Sequence, residues 1–526
     1  MAPISSNHRI NKLITPKRLI CGFILWLLMS SASVAQENLE FTISSFLIKG
    51  DNPISQSDAL KIVQEFTGKQ SGFEGLNAAR EALEQELARQ GFPFYRVTLP
   101  PQELLAGAVT FKIVKFRLGK VIVEGNEYFS TQNIRNSVPQ LLEDVSPNTQ
   151  KISRSLSIAN GNPAKSISLS FKGSEQSEHI DAVLKVKEQN PQLYYIQLNN
   201  SGTEDGAESR VSLGYQHNAL WNRDHGLTLS YTTSPEDTAA LSQWGLTYRM
   251  PMYEHGATLS FLVSDSEIDS GVVADDFEIS GSGSVFSVDY KRPLARSGNF
   301  SHSINIGIAS KSFDNNVSFL GAPIGNDIVT QPLTIGYKGA WLKPTGQWSF
   351  SIDTAANISG GSGNDDEDYE KLVAEADWLA IHYGVNYIHR FSNNSLFNFS
   401  LSGQQSSDLL VSGEQFGIGG ASSVRGYDER GVAGDEGYDI SLEYWLKPLT
   451  SYGIRLLVFY DAGTVTINEP QLGEQRSQSI SSSGIGLRYN WKQTISINLD
   501  LAVAMDDSGV TQDGDSKAHI SVLVRF

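Results

Sequence analysis

Arg425 is the ionisable residue whose surroundings are most unusual. It lies in a glycine-rich stretch, FGIGGASSVRGYDERGVAGD (416–435), between two alternating strand patterns. The stretch is too rich in glycine for a helix and too long for a turn. Asp461 follows in FYDAG (459–463), and an arginine and an aspartate can form a forked, charge-assisted pair. A solvated surface loop would have the same composition, so the neighbouring elements must decide. The residues flanking the arginine are Val424, Gly426 and Tyr427.

The sequence contains no recognisable catalytic pattern. HExxH, GxSxG and Walker motifs are absent, and each of these supports a defined chemistry. The acidic run 365–368 lacks the spacing of a calcium loop, so we interpret it as solvated instead of cation-binding. Cys21 is the only cysteine. We therefore expect no enzyme, no cofactor and no metal site.

Residues 1–35 are typical of an export signal. Four basic residues precede an apolar run of 11 residues (19–29), and Ser33-Val34-Ala35 predicts cleavage before Gln36. Cleavage removes Cys21, so the mature chain has no thiol. A lipoprotein is disfavoured because the apolar run mostly follows Cys21. The loss of four basic residues takes the formal charge from −17 to −21, which argues against nucleic-acid binding. The basic residues are Arg9, Lys12, Lys17 and Arg18.

Two α+β units follow, predicted at 36–117 and 118–190. The first reads strand, helix, helix, strand, strand, with strands at 41–48, 95–99 and 108–114 and a helix that begins at Ser55. The second repeats the order, with helices near 130–138 and 151–159 and strands at 120–124, 166–171 and 180–187. A generic α+β domain has the same element order.

From residue 191 to 526 the helical pattern disappears. Alternating segments of about 10 residues recur to the C-terminus, as in membrane-spanning strands. Of the two strand faces, one would meet lipid and the other water. A soluble β-sandwich or propeller is the alternative. The 16 predicted strands are centred near residues 195, 213, 229, 246, 259, 286, 306, 335, 352, 383, 399, 442, 458, 487, 499 and 522.

Connection lengths support a membrane barrel. The even-numbered connections are mostly compact, as in LKPTG (342–346), whereas the odd-numbered ones include long loops such as 359–377 and 404–437. Short periplasmic turns and long outer loops are typical of outer-membrane barrels. Phe526 ends the last strand on its predicted lipid face. The sequence thus predicts a mainly β protein, a 16-stranded antiparallel barrel after two α+β domains.

Inside such a barrel the long loop (404–437) could fold into the lumen. A confined arginine needs an anionic partner. Because Leu456, Val458 and Tyr460 would face lipid, Phe459 and Asp461 should point inward. We therefore predict an Arg425–Asp461 pair, with close backbone approach permitted by two glycines and with an aromatic side chain packed on the lumen wall. These three residues are Gly426, Gly463 and Tyr427.

Together these motifs resemble the TpsB-type transporters of two-partner secretion, the ShlB/FhaC/HecB haemolysin secretion/activation proteins. The long loop around Arg425 is similar to their lumen loop, and 459–463 resembles their F-x-D-x-G strand motif, whose acid receives the loop arginine. The two α+β units, in particular 97–114, resemble their POTRA domains. Phe526 resembles the terminal aromatic by which outer-membrane barrels are recognised for insertion.

The resemblance implies an outer-membrane pore with periplasmic POTRA domains. A TpsA-like exoprotein would dock on these domains, thread through the barrel without nucleotide hydrolysis and fold outside. The implied partners also include outer-membrane lipid, lipopolysaccharide and the barrel assembly machinery. Many family members have an N-terminal plug helix, which does not fit here because a strand is predicted about 5 residues after the cleavage site. The docking edge that we predict is Tyr95, Arg96, Val97, Thr98 and Leu99.

Two alternatives remain at this point. A barrel assembly and insertion factor of the same outer-membrane class would usually carry more POTRA domains. A passive porin or receptor would not need POTRA repeats.

Overall fold

The computed structural model describes most of the chain. The predicted signal peptide lies outside the described residues. Within them, no helix has the length and apolar character needed to cross a membrane. The described residues are 40–526 without 104–106, 203–207, 239–240, 267–270, 275–276, 280–282, 314–317, 320–321, 324–326 and 450–452.

The first unit is an α+β domain in which two helices pack on small sheets. Strands β2, β5 and β4 form one sheet in that order, and β1 pairs with β3. Leu83, Leu87 and Phe111 are fully buried between them. The elements are β1 (Glu40–Ile43), β2 (Ser45–Gly50), α1 (Gln56–Gln64), β3 (Gly68–Ser71), α2 (Glu74–Arg89), β4 (Tyr95–Thr98) and β5 (Ala108–Lys115).

Two details of this unit differ from the prediction. The single strand expected at 41–48 is divided at Ser44, whose N–H donates to the carbonyl of Gly107 at 2.6 Å. Strand β3 was missed because its sequence, GKQS, has no apolar alternation. The helix expected after Ser55 forms as predicted, since the Ser55 side chain accepts a hydrogen bond from the Asp58 N–H and caps α1.

The second unit repeats the design with its own core. Strands β6, β8 and β7 form a sheet in that order, and β7 is an edge strand. Ser130 and Asn148 cap the two helices. Leu118, Ile134 and Leu184 are fully buried under them. The elements are β6 (Arg117–Glu124), α3 (Thr131–Asn136), α4 (Thr149–Ala159), β7 (Lys165–Gly173) and β8 (His179–Glu188).

The rest of the chain forms a closed antiparallel barrel with strands in its outer loops. The elements are β9 (Gln192–Asn199), β10 (Arg210–Leu220), β11 (His225–Thr233), β12 (Ser242–Met252), β13 (Ala257–Ser266), β14 (Gly271–Ala274), β15 (Phe277–Ile279), β16 (Gly283–Pro293), β17 (Phe300–Phe313), β18 (Ser318–Phe319), β19 (Ala322–Pro323), β20 (Ile328–Thr330), β21 (Pro332–Lys343), β22 (Gly346–Asn357), α5 (Asp366–Glu370), β23 (Leu379–Arg390), β24 (Leu396–Gln405), β25 (Phe416–Ile418), β26 (Val432–Gly434), β27 (Glu436–Trp445), β28 (Arg455–Thr466), β29 (Ser477–Trp491), β30 (Ile495–Ala504) and β31 (Ser516–Arg525).

The barrel has 16 strands. Strands β20 and β21 both pair with β17 and together make one interrupted strand. The remaining wall strands follow in chain order until β31 closes on β9. Side chains alternate as expected, for in β28 Val458 and Tyr460 are exposed whereas Phe459 and Asp461 are buried. The predicted fold class is confirmed.

The closing seam is a short antiparallel ladder between β31 and β9. Its register runs from Ser521 opposite Asn199 to Arg525 opposite Tyr195. Phe526 lies beyond the last pair and exchanges both backbone hydrogen bonds with Tyr194. The Phe526 residue is 68% exposed, as expected for a terminal side chain on the lipid face.

The outer loops also form a small apolar cluster. Tyr369 of α5 and Trp378 belong to this cluster, and both are almost fully buried against Leu410 and Val411 of the long loop. The acidic run 365–368 provides the cap and first turn of α5. Among the described residues, no group of His, Cys, Asp or Glu side chains has a geometry suited to a metal ion.

Candidate functional site

The long loop descends into the barrel as a short hairpin. Strands β25 and β26 pair from Phe416 opposite Gly434 to Ile418 opposite Val432, and the tip between them carries Arg425. Gly419 and Gly420 have positive φ angles of 115° and 92°, which glycine adopts without strain. The tip turns back on itself and lies against the inner faces of β27 to β31.

The structure brings Arg425 and Asp461 together. The Arg425 Nε donates to Asp461 Oδ2 at 2.7 Å and its Nη2 donates to Oδ1 at 2.8 Å. The Arg425 guanidinium also lies over the Phe459 ring, with Cζ 3.5 Å from the centroid. Arg425 is 4% exposed and Asp461 is fully buried. The geometry is the bidentate, charge-assisted arrangement typical of arginine and carboxylate.

Arg425 also contacts two further acids that sequence analysis did not assign to it. Its Nη1 donates to Glu443 Oε1 at 2.9 Å and lies 3.7 Å from Asp500 Oδ1. A second cation, Arg488, holds Asp500 at 2.7 Å. We call these five residues, Arg425, Asp461, Glu443, Asp500 and Arg488, the lumen cluster. Alternation places Glu443 and Asp500 on inward faces, but it does not reveal which inward acid the loop reaches.

Gly426 approaches the wall closely. Its φ is 99°, and a Cβ at this position would lie 3.2 Å from the Ala502 Cβ. Its N–H donates to the His519 Nε2 at 2.9 Å. Because Nε2 accepts this bond, the buried imidazole must be neutral with its proton on Nδ1. His519 was not predicted, since a lone inward histidine on the last strand has no sequence signature.

Val424 and Tyr427 anchor the tip by packing. Both are fully buried in an apolar cluster with Ile418, Val465 and Ile480. The Tyr427 hydroxyl lies 2.9 Å from the carbonyl oxygens of Ser481 and Asp506. Gly463 leaves room for this packing, because a Cβ there would lie 3.1 Å from the Ile418 Cδ1.

The stem of the long loop has separate anchors near the outer face. Asp435 is 1% exposed and accepts hydrogen bonds from the N–H groups of Leu410 and Asn468 at 3.0 Å and 2.8 Å. Glu414 accepts from Lys311 at 2.8 Å. The loop is therefore held at its tip and at its stem by different groups.

The predicted docking edge is partly occupied. Residues 95–98 form β4, an edge strand that pairs only with β5, and Leu99 lies just outside it. The Val97 N–H already donates to the Glu84 Oε1 of α2 at 2.8 Å. The Glu84 carboxylate also lies 3.9 Å from Arg96. A strand added to this edge would have to displace Glu84.

Comparison with known proteins gives the family. The family described as "Haemolysin secretion/activation protein ShlB/FhaC/HecB" matches residues 178–489, and the "POTRA domain, ShlB-type" matches 41–115. The Heme/hemopexin transporter protein HuxB of Haemophilus influenzae (strain 86-028NP) is 20% identical over 90% of this chain and 85% of its own. Outer membrane transporter CdiB of Dickeya dadantii (strain 3937) is 19% identical over 78% and 72%.

Solved structures share the fold. CdiB from Escherichia coli superposes with a TM-score of 0.77 at 16% identity, over 95% of this chain and 93% of that one. CdiB from Acinetobacter baumannii gives 0.73 at 17% identity, over 94% and 91%. The family match covers more than half of the chain. This chain therefore belongs to the ShlB/FhaC/HecB family of haemolysin secretion/activation proteins, outer-membrane transporters of two-partner secretion.

Proposed function

We propose that this chain secretes one large exoprotein through its barrel and that the long loop is the element that moves to open the path. The observation that carries this proposal is the lumen cluster, which holds a glycine-rich tip across the inside of the barrel. A loop that only completed the wall would not need buried charges, because burying ions costs more than packing apolar side chains.

The cluster suits a contact that opens and closes. Arg425 has Asp461 as its nearest acid and Glu443 and Asp500 beside it. When the loop shifts, the guanidinium can exchange one acid for another and never loses all its partners. A cavity of about 340 Å³ beside the loop tip leaves space for such movement, and a second cavity of about 590 Å³ lies along the wall of β16 to β24.

The remaining parts of the chain have their own roles in the proposed secretion cycle. Residues 36–117 and 118–190 are the periplasmic POTRA domains that receive the unfolded exoprotein, and 191–526 is the pore. Phe526 is the signal read by the barrel assembly machinery, while lipid and lipopolysaccharide surround the barrel. The cycle has no catalytic step, so folding of the exoprotein outside would drive its direction.

Docking on β4 is testable because Glu84 blocks part of that edge. Glu84→Ala frees the Val97 N–H, so we expect binding of an N-terminal exoprotein fragment to the purified transporter to tighten severalfold. Glu81→Ala, an exposed acid on the same helix, is the matched control. Weaker binding after Glu84→Ala would instead indicate that the Glu84 carboxylate itself contacts the partner.

The function itself is tested by secretion. The exoprotein is taken as the product of a large, repeat-rich reading frame beside this gene, and the two are expressed together in a Gram-negative host. We expect the exoprotein in the medium only when the transporter is present. Retention of the exoprotein with an inserted transporter, or recovery of nascent barrels in pull-downs, would contradict the proposal.

A further inference from the structure

The second α+β domain is docked on the barrel through a buried ion pair. Lys165, at the start of β7, and Asp224, in the turn between β10 and β11, lie 2.5 Å apart with side chains 0% and 1% exposed. We propose that this pair fixes the second domain to the barrel as one rigid base, and that secretion proceeds without movement between them. Lys165 and Asp224 are then positioning residues, an inference that rests on the proposed function.

The Lys165 ammonium has a hydrogen-bond acceptor for each of its three N–H groups. Its Nζ donates to Asp224 Oδ2, to Asn133 Oδ1 at 2.9 Å and to Ser137 Oγ at 3.1 Å. These three acceptors match the three donors of an ammonium group. Burial lowers the pKa of Lys165, while Asp224 raises it. Removal of Asp224 would therefore leave a buried cation without its counter-charge.

Asp224 joins both halves of the junction. Besides Lys165, its Oδ2 accepts from Ser137 Oγ at 3.0 Å and from the hydroxyl of Tyr253 at 2.5 Å. Tyr253 lies after β12, in the next periplasmic turn. Burial raises the pKa of this hydroxyl well above its usual value, so it donates as a neutral phenol. One carboxylate thus ties two barrel turns to the second domain.

The first of these turns is held in a strained conformation. Trp221, Asn222 and Asp224 have φ angles of 52°, 54° and 64°, although none of them is glycine. Such residues persist where surrounding contacts enforce them. Asn222 supplies those contacts, since its side chain exchanges hydrogen bonds with the N–H and hydroxyl of Ser130 and its carbonyl accepts from Asn133.

The contacts extend beyond the ion pair. Asn162 donates to the carbonyl of Asn218 at 2.6 Å, and Arg249 of β12 donates to the carbonyl of Ile158 at 3.1 Å. Ala219 and Tyr253 of the barrel pack against the apolar core of the second domain. A domain that swung on the barrel during each cycle would have to break all these buried contacts.

The position of the second domain sets the position of one side of the periplasmic opening of the barrel. Ser157 of α4 lines the cavity of about 590 Å³ together with Lys291, His302 and Lys338 of the barrel wall. Helix α4 therefore forms one lip of the opening. The unfolded chain enters past this lip, and its route changes if the domain tilts.

The test is a cross-link across the junction. The Ser130 Oγ and Asn222 Nδ2 lie 2.6 Å apart, and the predicted mature chain has no cysteine, so Ser130→Cys with Asn222→Cys can be joined by oxidation or a short bifunctional maleimide. We expect the cross-linked transporter to secrete within about twofold of its reduced form. A matched tether, Asp428→Cys with Lys517→Cys, joins the long loop to the wall and should block secretion.

A second experiment tests whether Lys165 and Asp224 act by positioning the second domain on the barrel. Asp224→Ala should lower secretion roughly tenfold by leaving Lys165 unpaired, with the barrel still inserted as judged by heat-modifiable gel migration. Adding the junction cross-link to Asp224→Ala should restore most of the secretion, because it restores only the orientation. Lys172→Met, on the exposed part of the same strand, should have no effect.

The outcomes separate the two proposals. Loss of secretion when the junction is cross-linked would overturn the rigid base and show that the domain must move. Failure of the cross-link to rescue Asp224→Ala would show that the pair does more than position. If the loop tether leaves secretion unchanged, the moving loop of the proposed function is wrong, whereas the junction result still stands.

Discussion

Two of the buried ion pairs in this molecule, Arg425–Asp461 and Lys165–Asp224, have opposite designs. Arg425 in the lumen meets Asp461 but has Glu443 and Asp500 within reach, and Arg488 shares those acids. Lys165 at the junction meets one acid, and neutral groups complete its shell. A cluster with spare partners permits exchange, whereas a closed pair permits none. Partner number, more than burial, therefore differs between the contact that we propose moves and the contact that we propose holds.

The backbone conformations near the two ion pairs also differ. The loop tip reaches positive φ mostly at glycine, at Gly419, Gly420 and Gly426, where many conformations are allowed, and at one other residue, Arg430. The junction turn reaches positive φ at tryptophan, asparagine and aspartate, which have few alternatives. These backbones suit the roles that we propose, a loop that changes its path and a turn that its neighbours keep in a single conformation.

Removing the moving part should have the largest effect. Deletion of residues 422–434 takes away the tip that lies across the lumen. We expect planar-bilayer conductance to change from fluctuating, in the wild type, to a steady and higher level. Heat-modifiable migration controls for barrel assembly. Unchanged conductance would show that another segment fills the lumen.

Single substitutions in the lumen pair come next. Arg425→Ala and Asp461→Ala should each impair secretion, since each leaves part of a confined charge cluster uncompensated at about 3 to 5 kcal/mol. Arg425→Ala should be worse, because the three acids of the cluster then retain one cation, Arg488, which contacts Glu443 and Asp500. The double substitution should cost less than the sum of the singles. Strict additivity in a double-mutant cycle on secreted exoprotein would argue against direct coupling.

The junction pair should respond differently to apolar replacement. Lys165→Met and Asp224→Leu should each lower the free energy of unfolding by about 3 kcal/mol, while the double variant should be close to wild type. Secretion by the double variant should remain, since only orientation is needed. The same replacement in the lumen, Arg425→Met with Asp461→Leu, should leave secretion impaired. Equal secretion by the two double variants would show that the junction pair and the lumen pair do not differ in role.

The smallest effect is expected at His519. His519→Ala leaves the Gly426 N–H buried without an acceptor, at about 1 to 3 kcal/mol. We expect more frequent channel openings and little change in secretion. His519→Gln offers a carbonyl acceptor and is the matched control. If both variants open equally often, the hydrogen bond to Gly426 does not hold the tip.

Local patterns explain why much of this protein could be predicted. Strand alternation has a period of two residues and is visible wherever one face meets lipid, so all 16 strands and the inward direction of Asp461 were predicted correctly. Strand β3 was missed because GKQS has no such pattern. The split at Ser44 was also missed, since it depends on the distant carbonyl of Gly107.

The sequence by itself determined the class of protein, the faces of the strands and the choice of Arg425 as the residue to examine. Asp461 was predicted as the partner of Arg425, but only the tertiary structure added Glu443 and Asp500, because barrel closure and the descent of the long loop bring β27, β28 and β30 to one point. The contact between the second α+β domain and the barrel could be seen only in the tertiary structure. Lys165 and Asp224 are 59 residues apart in different domains. Asp224 lies in a turn and Lys165 lies just before the predicted strand 166–171, so no local pattern pairs them and their contact follows from docking.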